Sequence, residues 1–202
     1  MPVSTIDRRA LLAVLAAAPL AALALPVVRV RIVTDLGPIV IELYPDKAPI
    51  TVANFLAYAD KHLLDGGSFY RTVGPKNDHN PATISVVQGG LNLDDGPLPA
   101  IAHETTKATG IRHTDGVISM ARGDPGTAGS EFFICLGDNP ALDFGGLRNP
   151  DGQGFAAFGK VVEGMDVVRK IHGAPTKSDD ADPYLKGQIL AKPVKIQKLS
   201  RN

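Results

Sequence analysis

With a single cysteine, Cys135, in 202 residues, the chain can form no internal disulfide, so its stability must come from a packed core. That cysteine sits in the apolar stretch "FFICL" and reads as a small buried hydrophobe. Charge of either sign is not in excess: 21 Lys and Arg face 21 Asp and Glu, and no window gathers five or six like charges. Nucleic acid and anionic membrane both demand basic patches, so neither is expected as a partner. Metal chemistry also lacks its parts. The five histidines, at 62, 79, 103, 113 and 172, include no pair at helical spacing, and His103-Glu104 lacks the second histidine of a zincin-like site. His103 and His113 could meet around a metal, but structural roles are the weightier reading. There is no phosphate-cradling glycine loop followed by lysine and no G-x-S-x-G elbow, and Ser130 has no evident base. No metal and no cofactor are expected.

Long hydrophobic runs are missing too, with one exception at the start. "MPVSTIDRRALLAVLAAAPLAALA" places Arg8 and Arg9 before an apolar run and ends on Ala22-Leu23-Ala24, the layout of a cleavable secretory signal. The run is about 15 residues, short of the roughly 20 that span a bilayer, which makes a retained anchor the weaker alternative. The expected boundaries are therefore a signal over 1–24, cleaved after Ala24, and one domain over 25–202. Cleavage removes two arginines and one aspartate and leaves a nearly neutral protein. Export to the periplasm or the extracellular space, no stable membrane insertion after cleavage, and a monomer are expected. The arginine pair also permits a twin-arginine reading, which Asp7 and Ala10 on either side of it weaken.

The mature chain is rich in short strands. Val28, Val30 and Ile32 alternate with Arg29 and Arg31, and "DLG" turns the chain into "PIVIELY", so the opening reads as a hairpin. Val52, Phe55, Leu56 and Ala59 then follow helical spacing, with Thr51 or Asp46 as candidate caps and Gly66-Gly67 as the stop. Strands follow at Ser68–Val73, near Ile84–Gly89, at Val117–Ala121, at Phe132–Leu136, in "FAAFGKVV" and in "PVKIQKL". Met165, Val168 and Ile171 mark a second helix. About eight strands, mostly antiparallel, with two helices make a closed α+β barrel the economical architecture, since closure removes exposed edges.

One stretch stands out, "SFYRTVGPKNDHNPATISVVQGG" at 68–90. Alternation sets Arg71 on a face with Phe69 and Val73, and Gln88 on a face with Ile84 and Val86, so each apolar face carries one strong hydrogen-bonding group. Farther on come "ISMARGDPGTAGSEFFI" at 118–134, "ALD" at 141–143 and "FAAFGKVVEGMDVV" at 155–168. With "FYR" at 69–71 and "VVQGG" at 86–90, in this order, the set resembles the cyclophilin family of peptidyl-prolyl cis/trans isomerases across nearly the whole mature chain.

The resemblance implies a mainly β fold, a closed eight-stranded antiparallel barrel capped by two α-helices, with a substrate groove on the barrel's outer surface. It implies proline-containing polypeptides as substrates; taken with the signal over 1–24, unfolded or extended exported proteins are the expected ones. Matched motif by motif, Arg71 takes the catalytic arginine's place and Gln88 that of the glutamine holding it and the substrate backbone. Phe133 and Leu142 match proline-pocket residues, with Val86 where methionine is frequent and Phe155 as a further pocket wall. Ala121 and Arg122 occupy the edge for residues preceding proline. By strand alternation, Phe132 and Phe133 should point to opposite sides, one to the core and one to the groove. The chain departs from the pattern in a longer stretch between Arg71 and Gln88, in Ser85 where a pocket phenylalanine is usual, in Ala141 where some members carry tryptophan, and in "SEFF" for "SQFF". Two other readings stand beside the enzyme: a non-catalytic, chaperone-like binder of proline-containing segments on the same fold, and an interaction domain of a larger assembly.

Overall fold

The computed structural model describes Met1 and residues 26–93, 96–180 and 182–202. The expected signal over 1–24 therefore lies, Met1 apart, outside the described residues.

The first hairpin forms as its alternation dictates. Strands β1 (Val28–Thr34) and β2 (Gly37–Leu43) pair with Val30 opposite Ile41 and Ile32 opposite Ile39, which turns these four side chains inward. Thr34 closes the turn: its hydroxyl donates to the Gly37 carbonyl at 2.7 Å and accepts from Leu36 N at 3.1 Å. Helix α1 (Pro49–Asp60) follows, then β3 (Ser68–Val73), β4 (Val86–Gly90), a short α2 (Thr106–Thr109), β5 (Val117–Met120), β6 (Phe132–Cys135), β7 (Ala156–Glu163), α3 (Met165–His172) and β8 (Ile189–Arg201). The strands close in the order β1-β2-β7-β5-β6-β4-β3-β8, every pairing antiparallel, so the eight-stranded barrel expected from the sequence is the fold. The turn-rich middle holds a helix the sequence reading missed, α2. Its four residues are capped by Thr105, whose hydroxyl accepts from Ala108 N, and end at left-handed Gly110.

The interior is one continuous apolar cluster to which the strands and both longer helices contribute. Phe132 sits at its centre and meets Phe55 of α1 and Phe69 of β3 edge-on, with ring centroids 5.5 and 5.6 Å apart. Val167, Val168 and Ile171 of α3 pack into the same cluster. The cap of α1 is not the expected Thr51 or Asp46. Ala48 stands at the N-cap position with no side-chain bond, and Glu104 reaches back to accept from Ile50 N at 3.2 Å, Thr51 N at 2.7 Å and the Thr51 hydroxyl at 2.7 Å. A carboxylate at the helix start satisfies orphan N–H groups and meets the positive end of the helix dipole.

Candidate active site

The alternation read for β3 fails at one residue, and the site depends on that failure. Phe69 pairs with Gly89 and Arg71 with Gln88, so Tyr70 is an extra residue with no partner on β4. On the other edge, Phe69 pairs with Val194 and Arg71 with Ile189, so β8 bulges over 190–193. Pro193 sits in that bulge, where its missing N–H deprives no ladder partner. Phe69 consequently enters the barrel core, whereas Tyr70 and Arg71 both reach the hydrogen-bonding groups outside it. The expectation that Arg71 shares a face with Phe69 is thus corrected. Its face is shared with Val73, and that of Gln88 with Ile84 and Val86, as expected.

Arg71 is half-buried and held on two sides. Its Nη1 donates to Gln88 Oε1 at 2.9 Å, and its Nε and Nη2 both donate to Gln188 Oε1, at 2.9 and 2.6 Å. Gln188 is fully buried and anchored in turn, its Nε2 donating to the Asn77 carbonyl at 2.7 Å. A guanidinium has five N–H bonds. Three of these are engaged, which leaves one on Nη1 and one on Nη2. Tyr184 covers the guanidinium, its ring centroid 5.3 Å from Cζ, in cation–π geometry.

Beyond Gln88 the hydrogen bonds continue. Gln88 Nε2 donates to the Tyr70 hydroxyl at 2.7 Å, and that hydroxyl donates to Glu131 Oε2 at 2.6 Å. Burial, reinforced by the Glu131 charge, pushes the Tyr70 phenol well above its ordinary pKa, so it remains protonated. Glu131 Oε1 accepts from Leu91 N, Asn92 N and the Ser130 hydroxyl, each at 2.9 Å. Gly90 makes room for this: φ is +152°, and a Cβ there would lie 2.5 Å from both carboxylate oxygens.

Beside Arg71 lies a second apolar cluster, distinct from the barrel interior. Val73, Ile84, Val86, Phe133, Cys135, Leu142 and Phe155 form it, with Ala121 and Ala141 packed against it. Phe133 meets Phe155 edge-on at 5.4 Å and stacks at 5.9 Å on buried His113. Phe132 and Phe133 do point to opposite sides. Ser85, at the usual phenylalanine position, is held by its backbone, its N–H on Asn139 Oδ1 and its carbonyl on Leu136 N, while neighbouring Ile84 adds apolar volume. His113 supports the floor, its Nδ1 2.8 Å from Asp143 Oδ1 and its Nε2 2.9 Å from Ser119 Oγ. Burial pushes the Asp143 carboxyl up, but the side-chain and backbone bonds from His113 outweigh it and hold the pKa below its ordinary value. His103 contacts the Gln153 carbonyl instead, at 3.2 Å.

The structure places Arg122 differently from Ala121. Its guanidinium is committed to the Asp151 carboxylate and the Gly123 and Gly154 carbonyls, and it lies 5.3 Å from the Phe155 ring centroid. It therefore braces the pocket wall. The paired guanidinium, with the Gln153 N–H, holds the Asp151 carboxyl down at about 2. A hollow of about 860 Å³ opens on this side of Gln88, lined among others by Leu98, Ala121, Arg122 and Glu131.

The inserted stretch after Val73 is tied down beside Arg71. Asn77 donates to the Gly187 and Thr72 carbonyls, and His79 contacts the Lys186 carbonyl. Arg148 joins this stretch to two others. Its Nη1 donates to both Asp78 oxygens, at 2.9 and 2.7 Å, and to the Ala82 carbonyl, while its Nη2 donates to the Tyr184 hydroxyl at 2.9 Å. Gln188, Tyr184, Tyr70, Glu131 and Arg148 were all missed in the sequence. Only "SEFF" carried a local signal, a charge where an amide is commoner.

Comparison with known proteins agrees with this fold. Residues 29–200 match the family described as cyclophilin type peptidyl-prolyl cis-trans isomerase/CLD. A peptidyl-prolyl cis-trans isomerase of Acinetobacter baylyi is 36% identical over 154 residues, covering 74% of each chain. Peptidyl-prolyl cis-trans isomerase B of Escherichia coli is 36% identical over 151 residues, covering 71% of this chain and 83% of the other. The crystal structure of a cyclophilin type isomerase of Cryptosporidium parvum superposes with a TM-score of 0.66 at 21% identity, over 88% of this chain and 98% of that one. That protein has also been crystallised in the presence of the dipeptide Ala-Pro. A closed barrel, an arginine clamped outside it beside an aromatic cluster, and relatives of this identity and coverage lead to one conclusion: the chain belongs to the cyclophilin-type peptidyl-prolyl cis-trans isomerases.

Proposed function

We propose that this isomerase turns X–Pro bonds at Arg71 and acts on unfolded or extended exported polypeptides. An X–Pro bond resists rotation because the imide nitrogen shares its lone pair with the carbonyl, a barrier of about 18–20 kcal/mol. Rotation needs no nucleophile and no metal. It needs a donor toward the nitrogen as that lone pair localises, a grip on the proline ring, and a hold on the flanking backbone. One observation carries the assignment: Arg71 is fixed by Gln88 and Gln188 with one N–H left on each Nη, beside an apolar cluster outside the barrel. A preorganised guanidinium in a partly dry groove stabilises developing electron density more than it would in water. Accelerating rotation by five decades requires about 7 kcal/mol of differential binding, at about 1.4 kcal/mol per decade.

Phe133, Leu142, Val86 and Phe155 grip the ring in this reading. Ala121, with Arg122 bracing the wall, offers an edge to residues before proline, and the hollow beyond Gln88 gives those residues room. A pure binder would have no use for a permanent charge held this tightly. In the test, the protein speeds cis/trans relaxation of a short X–Pro peptide, and Arg71→Ala lowers that rate at least about tenfold with the fold intact. Background relaxation with the unaltered protein would favour the binding module instead.

The export context rests on the 1–24 segment, with its arginine pair, apolar run and Ala-Leu-Ala end. Among the described residues no helix is long and apolar enough to cross a membrane. Protein recovered from the exported fraction should begin at Leu25 and act as a monomer.

A further inference from the structure

The oxygens of Glu131 are unequally occupied, and the inequality has a direction. Oε1 takes two backbone N–H groups and a hydroxyl, while Oε2 takes only Tyr70. A carboxylate has no proton to give, so Tyr70 must donate into it. A phenol has a single proton, so toward Gln88 the Tyr70 oxygen can only accept, and the Gln88 amide must present Nε2. That leaves Oε1 for Arg71 Nη1. The opposite amide orientation would set an NH₂ against the guanidinium, donor against donor.

We propose that Glu131 and Tyr70 are positioning residues for X–Pro rotation: the carboxylate fixes the direction of each hydrogen bond from Glu131 through Tyr70 and Gln88, and so holds Arg71 in its working orientation. The proposal rests on Arg71 being the catalytic group.

It makes a nearly isosteric change informative. In Glu131→Gln, the oxygen stays with Leu91 N, Asn92 N and Ser130, because an NH₂ there would face two backbone donors. The new NH₂ then faces Tyr70. Tyr70 accepts it and donates to Gln88, whose amide turns over and presents NH₂ to Arg71. Tyr70→Phe cuts the chain, so nothing at 131 can reach Gln88 by this route.

The experiment is a double-mutant cycle on the full mature protein. Peptide turnover is measured by NMR exchange at saturation, with peptide affinity by titration and the Arg71 Nε–H resonance as a direct report on the guanidinium. Glu131→Gln is expected to lower turnover about tenfold, with affinity within about twofold and a shifted Arg71 resonance, as for a small displacement of a catalytic group. Added to Tyr70→Phe, Glu131→Gln should do nothing more. A merely structural glutamate would act equally in both backgrounds; that outcome, or unaltered turnover in Glu131→Gln, overturns the proposal. Arg71→Ala is measured alongside. If it keeps full turnover, the assignment of Arg71 has failed, and the relay with it; if it loses turnover while the cycle is multiplicative, the relay alone is wrong.

Discussion

Replacing Arg148 with methionine should cost this protein far more stability than a loop arginine ordinarily contributes. The Arg148 and Asp78 side chains are 3% and 0% exposed, and both carboxylate oxygens lie within 2.9 Å of Nη1. Breaking a buried pair costs roughly 3–5 kcal/mol, because the remaining charge is left without its partner. Asp78 retains bonds from Asn80 N at 3.1 Å and Ile84 N at 2.9 Å. The lower end, about 3 kcal/mol, is therefore expected for Arg148→Met. With a urea m-value of about 2 kcal/mol per molar, the unfolding midpoint should fall by about 1.5 M, read by circular dichroism. Adding Asp78→Asn removes the stranded charge and should restore more than half of the loss. A single-variant cost below about 1 kcal/mol would mean that the pair behaves as a solvated one, and the reasoning from burial would be refuted. The pH dependence gives a second check. Burial pushes the Asp78 carboxyl up, but Arg148 and the two backbone N–H groups outweigh it, so its folded pKa lies below 3.8. A depressed carboxyl stabilises the fold above its unfolded pKa and loses that contribution as pH falls through the folded value. Unaltered protein should accordingly lose stability below about pH 4 more steeply than Arg148→Met.

Two further outcomes concern the site. Gln188→Leu removes the acceptor for two Arg71 donors and should lower turnover about tenfold while circular dichroism stays unchanged; full turnover would show that Gln88 alone suffices to hold the guanidinium. Phe155→Ala removes one wall of the aromatic pocket and should weaken peptide binding by about tenfold in titration; unchanged affinity and rate would exclude Phe155 from the proline site.

Local periodicity in the sequence was enough for the opening hairpin, α1, α3, the division of Phe132 from Phe133, and the shared face of Ile84, Val86 and Gln88. Each of these follows from spacing within a few residues. The β3 bulge does not: nothing in "SFYRTV" announces that Tyr70 goes unpaired, because the shift is imposed by β4 on one edge and the Pro193 bulge of β8 on the other. Gln188 lies 117 residues from the arginine it holds, and Glu104 reaches back to cap α1 from 53 and 54 residues away. A buried amide or a distant carboxylate leaves no pattern in its own neighbourhood, since its partner is chosen by the closed fold. The Arg71–Gln88 pair was legible through motif matching. The clamp that completes it, Gln188, is brought to Arg71 only by closure of the barrel.

The pocket and the core are neighbours on the same strands, yet they share no side chain: β6 sends Phe132 inward and Phe133 outward, and β4 sends Val87 inward and Val86 outward. The two clusters therefore have separate packing partners, although both are buried. Val86, Leu142 and Phe155 are buried themselves, so truncating any of them costs packing in the outer cluster, while the barrel interior keeps its own partners. A lineage built on this plan confines the packing cost of each change in the outer cluster to that cluster, and needs stability in hand to meet it.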